Sequence, residues 1–192
     1  MIGAPTYFIR TAGCNLRCDW CDTTYAWDGG KETSIDEIME ILDNTQNICI
    51  TGGEPLLQND LTDLIERLLD EDKRIVIETN GSVDISVIPN DDRIIISMDI
   101  KCPSSGMSER NMMSNLGYLQ RKDQLKFVIG DNIDLNYAIK FLRENPVDTN
   151  VIFSPVGGMD LAPIAEEVIR RKLNVRVLPQ LHKIIWGDRR SV

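Results

Sequence analysis

Three thiols within eight residues, Cys14, Cys18 and Cys21, are the sharpest chemical feature of the sequence. The spacing Cys-x3-Cys-x2-Cys puts three soft thiolates on one short loop, which suits zinc or an iron–sulfur cluster. A fourth ligand is missing, since the segment contains no histidine and structural zinc ordinarily takes four protein ligands. A [4Fe-4S] cluster with one open iron accounts for the deficit directly, and the open iron then calls for an external amine and carboxylate chelate. Zinc, or three cysteines together by accident, is the alternative. The other two cysteines stand apart. Cys49 sits in the apolar run Asn47-Ile48-Cys49-Ile50-Thr51 and reads as a buried, inert thiol. Cys102 precedes Pro103-Ser104-Ser105-Gly106 and is either a bystander or part of a site wall. Five cysteines so distributed are not a disulfide framework.

The elements that must position this loop alternate regularly. Strand patterns occur at Thr6 to Arg10, Ile48 to Thr51, Arg74 to Glu78, Arg93 to Asp99, Gln124 to Ile129, Val151 to Ser154 and Asn174 to Val177. Between them, a capping box at Ser34-Ile35-Asp36-Glu37 opens a helix with Ile35, Ile38, Met39 and Leu42 on one face. Asp60 opens another, with Leu61, Leu64, Ile65, Leu68 and Leu69 in a stripe and an acidic face to solvent. Further helices carry Leu135, Ala138, Ile139 and Leu142, and Leu161, Ile164, Ala165, Val168 and Ile169; a shorter one is expected between the third and fourth strands. Near-continuous Ile and Val runs predict strands buried on both faces of a parallel sheet, an α/β fold. Ligands of such sheets sit beyond the carboxyl ends of the strands. The unusual residues fall there: the cysteines, Gly52-Gly53-Glu54-Pro55, Thr79-Asn80-Gly81, Lys101, Ser154-Pro155 and Gln180-Leu181-His182-Lys183.

Composition sets the outer limits. The chain has 192 residues, 42% of them hydrophobic and 27% charged, enough for a single domain with a real core. Lys plus Arg number 21 against 30 Asp plus Glu, for a net charge of -9, so nucleic acid phosphates and anionic membranes are repelled. No apolar run is long enough to span a bilayer and the start lacks the pattern of a signal peptide, which makes the cytoplasm the expected location. In so acidic a chain, the few cations near the rim, Arg10 and Lys101 above all, are candidates for small anionic ligands.

Cys14-Asn15-Leu16-Arg17-Cys18-Asp19-Trp20-Cys21, with an aromatic before the third cysteine, together with Thr51-Gly52-Gly53-Glu54-Pro55, resembles the radical S-adenosylmethionine superfamily. Glycines allow backbone to approach a ligand and Glu54 can complement an ammonium; alone, this segment would read as a plain turn. Within the superfamily, the segments from Phe8 to Cys18, Cys21 to Thr23, Glu78 to Gly81, Ser97 to Gly106 and Gln180 to Gly187 resemble the 7-carboxy-7-deazaguanine synthases, which contract 6-carboxy-5,6,7,8-tetrahydropterin with S-adenosylmethionine and Mg2+ on the way to queuosine or archaeosine.

That resemblance implies a partial, modified TIM-like (β/α)6 barrel spanning residues 1–192 as one domain. It also implies an upstream strand and a Gln-Gly-Glu-Gly motif, after which this sequence begins. Cys14, Cys18 and Cys21 would hold the cluster and Thr23 would meet Mg2+. Arg10, Thr51 and His182 would touch the pterin; His182 is the sole histidine, and as such could equally be a packing residue. Asp19, Trp20, Asp22, Gly52, Gly53, Glu54, Asp99, Ile100 and Lys101, with Ser154, Pro155, Val156 and Gly157, would line the S-adenosylmethionine pocket. An electron donor such as flavodoxin and a homodimer are implied as partners. Two rivals are an activase that installs a glycyl radical in another protein and a non-catalytic iron–sulfur or zinc module.

Overall fold

A computed structural model describes residues 3–42, 44–158, 160–187 and 189. Seven strands form one parallel sheet: β1 Tyr7–Thr11, β2 Asn47–Gly52, β3 Arg74–Thr79, β4 Ile94–Ile100, β5 Gln124–Ile129, β6 Asn150–Pro155 and β7 Arg176–Val177. Their spatial order is the chain order, β1 to β7. A doubly wound sheet reverses order and receives helices on both faces. Here every crossover advances one strand, and because such crossovers are right-handed they stack on one side. The result is the wall of an open barrel with six full strands and a two-residue seventh, its edges at β1 and β7 among the described residues.

The helices are α1 Ile35–Ile41, α2 Leu61–Asp70, α3 Asn132–Glu144, α4 Ala162–Arg170 and α5 Leu181–Trp186. The capping box at Ser34 forms as the sequence predicts, with Glu37 N donating to Ser34 Oγ at 3.2 Å and Ser34 N donating to Glu37 Oε2 at 2.9 Å. One expectation is corrected. Between β3 and β4 there is only a 3-10 turn, Ile85–Val87. Pro89 and the β-branched Ile85, Val87 and Ile88 leave too little sequence to propagate a helix.

One face of the sheet packs against the helices. Ile48 and Ile50, Ile75 and Ile77, Ile94, Ile96, Met98 and Ile100, then Leu125 and Phe127 join Leu61, Leu64, Ile65 and Leu68 of α2 and Leu135, Ala138 and Ile139 of α3 in a continuous core. Phe127 is wholly buried, with edge-on contacts at 5.5 Å to Phe141 and to Phe153. The alternate residues point to the other face. Cys49, Val76 and Ser97 are shielded there as well. Toward the carboxyl ends, however, Arg10, Thr51, Glu78, Asp99 and Lys126 replace the apolar residues. The Ile and Val runs therefore describe two buried faces only in their lower half.

Phe127→Ala removes a ring from the centre of the aromatic cluster and is expected to cost about 3–5 kcal/mol of unfolding free energy. Ile169→Ala, at a side chain 76% exposed, is expected to change it by no more than about 0.5 kcal/mol. Denaturant midpoints of the two variants test this difference.

Candidate active site

The loop after β1 is stitched to the carboxyl ends of the other strands by contacts that the sequence separates widely. At β2, Glu54 N donates to Gly13 O at 2.8 Å and Gly53 N to Thr11 O at 3.1 Å. A Cβ on Gly53 would lie 2.0 Å from Gly13 O, and one on Gly52, whose φ is +148°, would lie 2.2 Å from Thr11 O. The two glycines thus permit a close approach, but the partner is the root of the cysteine loop itself.

Glu54 is fully buried. Its Oε1 accepts from Thr79 Oγ1 at 2.9 Å and Leu56 N at 3.1 Å, and its Oε2 accepts from Asn80 N at 2.7 Å. Burial raises the pKa of the carboxyl above its ordinary value, against the opposing pull of these hydrogen bonds and of Lys101. The carboxylate faces inward and clasps the end of β3.

After β3, Asn80 Nδ2 donates to Asn15 Oδ1 at 3.0 Å and to Cys14 Sγ at 3.8 Å. After β4, Trp20 Nε1 donates to Ser104 Oγ at 2.9 Å and Asp19 N to Ser105 O at 3.1 Å. Ser104 is held in turn by Asp134, buried at the start of α3, which accepts from Ser104 N at 2.9 Å and also from the Ser104 hydroxyl. From the far end of the sheet, Gln180 Nε2 reaches Asp22 Oδ2 at 3.1 Å, and Asp22 Oδ1 accepts from Thr23 Oγ1 at 2.7 Å. Gln180 Oε1 is buried without a hydrogen-bond partner among the described residues. Ser154 donates to Leu178 O at 2.8 Å and Val156 N to Ile129 O at 2.9 Å, which fixes the turn through Gly157.

The three loop cysteines are free and partly buried. Burial raises the Cys18 thiol above its ordinary value, Lys101 pulls it down, and Cys21, Asp99 and Cys14 push it up. All four therefore lie within electrostatic reach of one sulfur. Among the described residues, no group of three His, Cys, Asp or Glu side chains could hold a single metal ion. The donor set fits a polynuclear cluster, whose irons each take one thiolate, better than it fits a closed zinc site.

Beside the thiols lies a ladder of charge. Lys101 Nζ is 2.7 Å from Asp99 Oδ2 and 6.0 Å from the centroid of the Trp20 ring. Lys126 Nζ lies 3.2 Å from Asp99 Oδ1 and 3.4 Å from Glu78 Oε2. Burial would raise the Asp99 carboxyl, but Lys101 and Lys126 outweigh it and hold it below the carboxylate range. Burial would likewise lower Lys101, and Asp99 keeps it raised and charged. Asp99 Oδ1 nevertheless accepts no directed hydrogen bond. An acceptor buried in this way fits the hydroxyls of a ribose, and the buried Lys101 cation fits a carboxylate, so the residues present suit S-adenosylmethionine.

Arg10 and Thr51 are paired in register on β1 and β2, on the inner face. The exposed Arg10 guanidinium lies over the Tyr25 ring at 5.9 Å. His182 is exposed in the first turn of α5, two residues beyond Gln180, and its side chain is not drawn into this network. Ile100 is buried and faces the core. Cys49 is buried, its thiol pushed up to about 12 by burial. Cys102 is wholly buried in the core cluster, and burial raises its thiol far above the ordinary value. Side-chain partners that sequence reasoning did not single out are Asn80, Ser104, Asp134, Lys126 and Gln180. Asn80, Ser104 and Gln180 carried a signal only as members of rim or family-like segments; Lys126 and Asp134 carried none.

Residues 8–99 match the model of the Radical SAM superfamily. A curated 7-carboxy-7-deazaguanine synthase of Thermoplasma acidophilum is 43% identical over 188 residues, 97% of this chain and 90% of that protein. One of Methanospirillum hungatei is 43% identical over 95% of this chain and 78% of its own length, and one of Bacillus subtilis 32% over 100% and 92%. Among solved structures, QueE from Escherichia coli superposes with a TM-score of 0.70 at 22% identity, covering 91% of this chain and 84% of that one. Streptococcus suis SuiB bound to S-adenosylmethionine gives 0.67 at 15% identity, covering 90% and 49%. These two share the fold. With the three-thiol loop, the Gly-Gly-Glu-Pro turn with its buried Glu54 and relatives this similar over nearly the whole length, the chain belongs to the 7-carboxy-7-deazaguanine synthase family of the radical S-adenosylmethionine superfamily.

Proposed function

We propose that this chain catalyses the radical ring contraction of 6-carboxy-5,6,7,8-tetrahydropterin to 7-carboxy-7-deazaguanine, with release of ammonia, in 7-deazapurine synthesis toward queuosine or archaeosine. The observation that carries the reading is the convergence of Cys14, Cys21, Lys101 and Asp99 around Cys18 at the carboxyl end of the sheet. The proposal includes Mg2+, a low-potential electron donor such as flavodoxin, a homodimer and a cytoplasmic location.

Cys14, Cys18 and Cys21 would hold a [4Fe-4S] cluster. When bound, the reduced cluster with S-adenosylmethionine supplies a 5'-deoxyadenosyl radical able to take a hydrogen atom from carbon. The chain's own part is to bind and orient. The Asp99 acceptor and the Lys101 cation suit the ribose and carboxylate of the cofactor, while Trp20, tethered to Ser104, offers an aromatic surface for the adenine. The Gly52 and Gly53 carbonyls and the Ser154 to Gly157 turn would complete that pocket. Because Thr23 donates its proton to Asp22, the lone pairs of its hydroxyl are left for a hard cation such as Mg2+. Arg10 supplies a planar cation for the pterin carboxylate, next to the Thr51 hydroxyl, with His182 at the rim beyond.

Anaerobically reconstituted protein is expected to turn over the carboxypterin with S-adenosylmethionine in catalytic amounts. Accumulation of 5'-deoxyadenosine in step with substrate, without a deazaguanine product, would overturn the reading, and a zinc-loaded protein would favour the non-catalytic module.

Loss of the charge-assisted contact in Arg10→Ala is expected to weaken pterin binding by about 10- to 100-fold and S-adenosylmethionine binding hardly at all. Calorimetric titration with each ligand separately checks this, and equal losses count against the role of Arg10. For the cation, Thr23→Val is expected to raise the Mg2+ concentration giving half-maximal rate by about tenfold, on the order of one hydrogen bond or ligand contact. An unchanged Mg2+ dependence removes Thr23 from that role.

A further inference from the structure

Resting on the cluster reading above, we propose that Asn80 donates a hydrogen bond to the Cys14 thiolate and thereby raises the reduction potential of the cluster. Asn80 is 8% exposed, and both ends of its amide are committed. Ser82 N donates to Asn80 Oδ1 at 2.9 Å and Ser82 Oγ to the same oxygen at 2.6 Å. A main-chain N–H can only donate, so the end facing Ser82 is the oxygen and the end facing the loop is the NH2. Of its two protons, one goes to Asn15 Oδ1 at 3.0 Å and the other to Cys14 Sγ at 3.8 Å.

The amide is held in this place from below and from the side. Asn80 N is pinned to the buried Glu54 carboxylate at 2.7 Å, and Gly81, with φ of +74°, lets the chain turn where a Cβ would meet Asp99 O at 2.4 Å. Asn15 Nδ2 returns to Ser82 Oγ at 2.8 Å, which closes a ring of three side chains beside the first cysteine. Leu16 N adds a second donor to Cys14 Sγ at 3.5 Å. Among the described residues, neither Cys18 nor Cys21 accepts a hydrogen bond at sulfur. Cys14 is thus singled out from its two neighbours.

Hydrogen bonds to cluster sulfurs are among the features that set the potential. The reduced cluster carries one more negative charge, so its thiolates accept more strongly and a donor favours that state. Asn80 is accordingly a tuning residue that acts through the Cys14 sulfur. Its effect is on how readily the electron arrives.

The test is a potentiometric titration of the reconstituted full chain with dithionite, in the absence of S-adenosylmethionine, following the signal of the reduced cluster by electron paramagnetic resonance. Asn80→Asp keeps the acceptor for Ser82 but turns a carboxylate oxygen toward the thiolate. Asn80→Ala removes the amide altogether. Both variants are expected to retain iron and sulfide at the native level and to shift the midpoint to more negative values, Asn80→Asp the further. The expected size is up to about tenfold in the reduction equilibrium, or ~59 mV for one electron. Ser82→Ala, which leaves the donor but unlocks it, should give a smaller shift in the same direction. A native midpoint in Asn80→Ala overturns the proposal, because Asn80→Asp also brings a negative charge that lowers the potential by itself. A native protein with no reducible cluster overturns the functional reading instead, so the two failures are distinguishable.

Discussion

The site depends on a carboxylate kept out of water. Glu54 gives up its solvation in exchange for three hydrogen bonds, from Thr79, Leu56 and Asn80, and an unpaired buried acceptor of this kind would cost several kcal/mol. The exchange fixes three things at once. It sets the conformation of the turn after β2, and that turn is pressed against Gly13 so closely that no side chain fits. It sets the end of β3, where Asn80 leaves the sheet. Through both, it sets the position of Cys14 relative to the strand ends. A free carboxylate aimed at a ligand could be replaced by another polar group with loss of one contact. A buried carboxylate that joins two strand ends to a loop cannot, because each of its partners would be left unsatisfied.

Electrostatics separates the working rim from the rest of an acidic molecule. The chain carries a net charge of -9, yet Lys101 and Lys126 are gathered beside the thiols and held there by Asp99 and Glu78. Alternation of sign is what keeps both lysines charged in a shielded place: burial alone would lower them, and the carboxylates reverse that direction. Three thiolates on one short loop repel one another, and Lys101 is the cation that offsets part of that repulsion at Cys18. The same lysine lies against the Trp20 ring. A single side chain thus acts electrostatically on both the cluster loop and the aromatic surface beside it.

Much of this was legible in the sequence, and the boundary between what was and was not has a physical cause. Alternating Ile and Val runs with helical stripes fix a parallel sheet because burial follows local periodicity. The cysteine spacing, Gly52-Gly53-Glu54-Pro55 and the capping box at Ser34 are likewise local patterns. The inward turn of Glu54 was not legible, since a glutamate after two glycines reads equally well as a ligand or as a clasp until the atoms around it are known. Nor was the 3-10 turn at Ile85–Val87, where helical spacing of apolar residues is present but the length is too short to propagate. The contacts of Gln180 with Asp22, Ser104 with Trp20 and Asn80 with Cys14 span 158, 84 and 66 residues. No pattern in sequence joins such partners, because each depends on the curvature of the whole sheet.

That curvature also explains why the polar partners gather at one end. Strands in chain order with helices on one side leave the other side lined by short segments from every strand end, none of which can bury a large apolar group without closing the opening. Polar groups there must find partners across the gap, and the loop after β1 is long enough to supply them. It meets Glu54 from β2, Asn80 from β3, Ser104 and Ser105 from β4 and Gln180 beyond β7 in turn. A loop held at so many points loses little further freedom when a ligand binds, so the ordering cost is met during folding. The three thiols are therefore presented by a scaffold that is set before any ligand arrives, and the geometry asked of them is a property of the fold as a whole.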